Sequence, residues 1–142
     1  MSKTLLKKFD EYCEGRKLRV TPPRRFTLEI IGSAKQPVTA YEALEQLGGK
    51  LDNPKPPTAY RALEFLSRHG FIHRIESLNA YIACGAGHHH QGSQFMICDT
   101  CGRVEEAHLC SLPPALKDKA AKEGFALNYW NAELHGVCKN CA

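Results

Sequence analysis

Apolar residues recur every three or four positions through the first half of the chain, and after about residue 70 the spacing shortens to alternation. A first amphipathic helix is predicted over residues 3–14. Thr21-Pro22-Pro23 announces a second, because a cap residue followed by proline suits the first helical turn, and Ile30 and Ile31 lie on its apolar side. A third starts at Thr39, which forms an S/T-x-x-E capping box with Glu42, and it stops at Gly48-Gly49. The fourth follows Lys55-Pro56-Pro57-Thr58 and ends at His69-Gly70, where glycine can take the left-handed cap. Within it Ala59, Ala62, Leu63 and Leu66 recur at core spacing, which leaves Tyr60, Arg61, Glu64 and Arg68 on the other side. An aromatic residue and an arginine are thus expected to face outward together.

After Gly70 the pattern predicts strands over 71–76 and 80–84 around a turn at Ser77-Leu78-Asn79, a β-hairpin. Helices followed by such a hairpin form a winged helix-turn-helix. Gly85-Ala86-Gly87 then breaks the chain before His88-His89-His90. Beyond it the pattern predicts strands over 94–98 and 103–106, a helix over 114–123 stopped by Gly124, and a strand over 125–133. The expected class is α+β: a winged helix-turn-helix domain over 1–84, a His-rich hinge over 85–93, and a small α/β domain over 94–142. Open strand edges in so small a unit call for a partner, so dimerisation through this half is expected.

A chain of 142 residues has room for one ordinary domain or two small ones. No apolar stretch approaches the eighteen or more residues of a membrane span, and the start carries no apolar leader, so a cytoplasmic protein with no membrane partner is expected. Charge is uneven: residues 1–83 hold 14 Lys/Arg against 9 Asp/Glu, whereas 84–142 hold 5 against 6. A basic first half suits a polyanion, although a solvated surface would have the same composition.

The strongest chemical signal is two cysteine pairs, Cys98-Asp-Thr-Cys101 and Cys138-Lys-Asn-Cys141. A two-residue gap wraps backbone around one ion, and four converging thiolates make a closed, tetrahedral structural zinc site. Gly102 fits, since the knuckle needs positive φ just after the second sulfur. Redox pairs or a disulfide framework would require a thioredoxin-like helix or an even count, and there are 7 cysteines. Cys13 and Cys110 have no assigned role, nor does His108, and His135 is expected to pack or bond a sulfur at the second knuckle.

Thr58-Ala59-Tyr60-Arg61-Ala62-Leu63 on the fourth helix, the His-rich hinge and the paired C-x-x-C motifs together resemble the ferric uptake regulator family, over essentially the whole chain. The resemblance implies a homodimeric, metal-dependent repressor that binds palindromic AT-rich double-stranded DNA operators, with one or two dimers per operator left open. His73, Cys84, a hinge histidine and Glu106 match the pattern of the family's zinc-sensing branch, with His90 the chosen hinge ligand and His88 the second choice. A soft thiolate beside imidazoles selects zinc over iron(II), which makes Cys84 the discriminating residue. The expected cofactors are one structural and one regulatory Zn²⁺ per subunit, and the expected genes are those of zinc uptake. On the DNA side, Tyr60 and Arg61 would read bases, with Thr58 beside them, while Lys8, Arg19, Arg24 and Arg25 would hold phosphates. The rivals are an iron- or peroxide-responsive relative, a redox switch at Cys98 and Cys101, and a zinc hydrolase using Glu105 or Glu106. Four protein ligands would leave no position for a reacting water, so an enzyme is not expected.

Overall fold

The computed structural model describes residues 2–84, 92–107, 109 and 111–142, and the chain divides into two compact units, Met1–Cys84 and Gly85–Ala142. The expectations for His88, His89, His90, His108 and Cys110 lie outside the described residues.

The first unit contains four helices: α1 (Ser2–Gly15), α2 (Pro22–Ser33), α3 (Ala40–Leu47) and α4 (Pro56–Arg68). Thr21 caps α2 by accepting from the Arg24 amide at 3.4 Å, with proline in the first turn. At α3 Thr39 Oγ1 accepts from the Glu42 amide at 3.1 Å and donates to Glu42 Oε1 at 3.0 Å, so the Thr-Glu pair closes hydroxyl to carboxylate. α4 ends in a Schellman arrangement: the Phe71 amide reaches Leu66 O at 2.9 Å, the Gly70 amide reaches Ser67 O at 3.2 Å, and Gly70 sits at φ 78°.

β2 (Ile72–Ile75) and β3 (Ala80–Ala83) form the expected hairpin, joined by a 3₁₀ turn over Glu76–Leu78 and by Asn79 at φ 48°. A third strand not foreseen, β1 (Val38–Thr39), pairs antiparallel with β3 through Val38↔Tyr81 and Thr39↔Ala80. Two residues are too few to show alternation, and the strand exists because β3 supplies its partner. Phe9 anchors the core, edge-on to Phe65 at 6.3 Å and to Phe71 at 5.2 Å, with Leu28, Leu63, Leu66 and Ile72 fully buried around it. Each such side chain contributes about 1.5–3 kcal/mol on burial. Helices packed this way with a three-stranded sheet make a winged helix-turn-helix, in which α3 and α4 are the helical pair.

The second unit is a three-stranded sheet in the order β5 (Val104–Glu106), β4 (Gly92–Cys98), β6 (Trp130–Gly136), with α5 (Pro114–Lys122) in the connection to β6. β4 and β5 run antiparallel and β4 and β6 parallel. The strand expected over 125–133 is corrected: it begins at Trp130 and continues to Gly136. In the ladder Gly92 stands opposite Trp130 and Cys98 opposite Gly136. Phe125 and Tyr129, left ahead of the ladder, are 65% and 66% exposed.

Candidate metal centre and nucleic-acid interface

Cys98 ends β4, Cys101 closes the turn after it, and Cys138 and Cys141 follow β6. Because β6 pairs with β4 up to Gly136, the second cysteine pair is delivered beside the first, and the Asp99 amide donating to Gly136 O at 2.7 Å fastens the two turns. The four Sγ atoms lie within 4.8 Å of one another, and Cys101 Sγ is 3.8 Å from Cys138 Sγ. A tetrahedron with Zn–S bonds of about 2.3 Å has an edge of about 3.8 Å, so this donor set fits zinc in size as well as in chemistry. Gly102 takes φ 77°, as the knuckle requires.

Backbone amides shape the site's charge. Those of Cys101, at 3.5 Å, and Cys138, at 3.3 Å, donate to Cys98 Sγ and lower its thiol from the ordinary 9.0 to about 6. The Cys141 thiol is pushed up to about 12, first by its hydrogen bond with the Cys138 side chain and then by that with Cys101. Of these two thiols Cys98 is therefore the more readily ionised. His135 Nδ1 stands 3.6 Å from Asp99 Oδ1, a residue of the first knuckle.

In the first unit the wing hairpin brings His73 and Cys84 together. His73 is opposite Ile82, the ladder closes beyond Ala83 with the Cys84 amide donating to Phe71 O at 2.9 Å, and the His73 and Cys84 ligand atoms lie within 4.8 Å. An imidazole and a thiol are thus held side by side at the end of the hairpin. Glu106 belongs to the other unit, as the half-buried last residue of β5, paired with Phe95.

α4 buries Ala59, Ala62, Leu63 and Leu66 as expected, and Phe65 as well. Tyr60 is 59% exposed and Arg61 is exposed, while Thr58 is half-buried. Among the expected phosphate contacts, Lys8 and Arg19 are exposed. Arg24 and Arg25 have structural tasks as well. The Arg24 guanidinium lies 3.7 Å from the Phe65 ring centre and donates to Arg19 O at 2.7 Å, and Arg25 grips both carboxylate oxygens of Asp10 at 3.3 and 3.2 Å. These contacts tie α2 to α4 and α1. A second outward aromatic was missed: Tyr41, in the first turn of α3, is 76% exposed. The signal was available, since Tyr41 falls opposite the buried Ala43 and Leu47 at helical spacing.

Comparison with known proteins agrees with this geometry. The model of the ferric uptake regulator family matches residues 15–141. The chain is 37% identical over 139 residues to the zinc uptake regulation protein of Escherichia coli (strain K12), covering 96% of this chain and 81% of that protein. Among solved structures, a zinc uptake regulator complexed with zinc and DNA superimposes with a TM-score of 0.86 at 36% identity, over 99% of this chain and 95% of that one. Holo XcZur gives a TM-score of 0.85 at 36% identity, over 97% of this chain and 96% of the other.

Proposed function

This chain belongs to the ferric uptake regulator family, and we propose that within it the protein is a zinc-responsive transcriptional repressor, acting in the cytoplasm as a homodimer on palindromic operators. The observation that carries the reading is the likeness, over nearly the whole chain, to a regulator solved with zinc and DNA. The soft His73–Cys84 pair on the wing supports zinc over an iron- or peroxide-responsive role, because iron(II) favours carboxylate-rich, sulfur-free sites.

In this reading the metal does no chemistry on a substrate. Cys98, Cys101, Cys138 and Cys141 would hold a structural zinc, a closed thiolate set that staples the end of the chain to the β4–β5 turn. His73, Cys84, a hinge histidine chosen as His90, and Glu106 would hold a weaker, exchangeable zinc. Those ligands come from both halves of the chain and from the segment between. Filling the site would fix the separation of the two winged helices in a dimer near one helical turn of DNA or a multiple of it. Tyr60 and Arg61 would then meet base edges, with Thr58 beside them, Lys8, Arg19, Arg24 and Arg25 would face phosphates, and Tyr41 offers a second aromatic on α3. A hydrolase built on Glu105 or Glu106 is disfavoured, because four protein ligands leave no place for an attacking water.

The test is operator binding by metal-stripped protein titrated with zinc, iron(II) and manganese(II). Zinc alone should restore specific binding at low concentration. Equal restoration by iron(II) would reject the zinc assignment, and metal-independent binding would reject the sensing role.

A further inference from the structure

Gln94 is 98% buried near the start of β4, and it holds the chain that follows Glu106 at two points. Its backbone carbonyl accepts from the Ala107 amide at 2.8 Å, and its side-chain Oε1 accepts from the Leu109 amide at 3.1 Å. β5 is only three residues long, and Glu106 is its last, opposite Phe95. The end of so short a strand frays unless the chain beyond it is fastened.

The choice of an amide here is costly. Gln94 Nε2 is buried and has no hydrogen-bond partner among the described residues. An apolar side chain of the same length would be cheaper to bury. What it could not do is accept from the Leu109 amide, and so hold the chain just beyond the end of the β4–β5 ladder. Gln94 and Phe95 point to opposite faces of the sheet, so the amide acts from behind on a carboxylate presented from the Phe95 side.

We infer that Gln94 is a positioning residue for Glu106, fixing the carboxylate's place so that a metal ion need not order it on binding. The inference rests on the proposed role of Glu106 as a ligand of the exchangeable zinc. It concerns the affinity of that site and leaves the Cys98–Cys141 centre untouched.

The experiment is chelator competition for zinc on the full-length protein, with metal content and thermal midpoint measured alongside, for the parent, Gln94→Met, Gln94→Glu and Cys84→Ser. Gln94→Met keeps length and apolar bulk but has no acceptor for the Leu109 amide; it should bind the exchangeable zinc about 10–100-fold more weakly while retaining the tightly held one. Gln94→Glu keeps the acceptor and should recover most of that affinity. If Cys84→Ser weakens the exchangeable site and Gln94→Met does not, the positioning role is overturned and the site reading stands. If neither variant weakens it, the site reading falls and the inference with it. Loss of the tightly held zinc in Gln94→Met, or a Gln94→Glu protein as weak as Gln94→Met, would show general scaffolding and also overturns the inference.

Discussion

Cys101 Sγ lies 3.8 Å from Cys138 Sγ, although α5 and the whole of β6 intervene between them in the chain. Cys138 and Cys141 follow the last strand, and their turn is held by short-range bonds from the Cys141 and Ala142 amides to Cys138 O at 3.0 and 2.9 Å. A bridging ion would add a tie through all four sulfurs to the Cys138–Cys98 and Asp99–Gly136 bonds, and in small units metal binding is part of the folding free energy. Cys98→Ser is therefore expected to lose the tightly held zinc and the dimer together. Metal content and sedimentation of the purified variant check this; a dimer with the parent's zinc would remove the structural assignment.

Chelator-stripped protein should show a stability maximum in pH. For Cys98, whose thiol falls from 9.0 to about 6 on folding, the unfolded chain binds more protons between those values; its contribution is full above pH 9 and is lost as pH falls through about 6. For Cys141, raised to about 12, the contribution is full below pH 9 and is lost as pH rises through about 12. The thermal midpoint of the metal-free second half, followed under reducing conditions, should climb from pH 6 towards 9 and decline beyond it. A midpoint that falls steadily over pH 6–9 would contradict the assigned proton distribution.

Cys84→Ser should leave a folded dimer that keeps its tightly held zinc yet no longer responds to added zinc on operator DNA. The wing itself should survive, because the bond to Phe71 O comes from the Cys84 backbone amide and not from its sulfur. Zinc-titrated operator binding is the measurement, and a parent-like response would exclude Cys84 from sensing.

Arg61→Ala should lose about 1–3 kcal/mol per half-site and relax base preference, because arginine can bond both O6 and N7 of guanine. The informative quantity is the ratio of specific to random duplex affinity at fixed salt. An unchanged ratio would mean that α4 is not the reading helix.

Arg24→Ala should behave differently, since the guanidinium stacked on Phe65 holds α2 against α4. Loss of the cation–π contact is expected to cost about 0.5–1 kcal/mol in stability. If the residue also faces phosphate, all duplexes should weaken alike and the specificity ratio should stay constant. Thermal denaturation and the two-duplex assay together separate the effects; a stable variant with altered base preference would refute this division of labour.

Features whose determinants are local were legible before any coordinates. The caps at Thr21, Thr39 and Gly70, the stripe that turns Tyr60 and Arg61 outward, and the knuckle spacing with Gly102 depend on residues a few positions apart, and the structure places them as expected. Tertiary structure decided what depends on a partner. β1 exists only against β3, and β6 takes its register, Trp130 to Gly136, from pairing with β4. The same holds for charge: the sequence offers Lys8, Arg19, Arg24 and Arg25 as basic residues alike, but only packing shows that Arg24 lies on an aromatic ring and Arg25 on Asp10. Helix caps and metal knuckles close over short loops with little entropy to overcome, so their residue types report them directly. Strand limits and ion pairs join residues far apart in sequence, and their energies arise only once the rest of the fold has brought the two sides together.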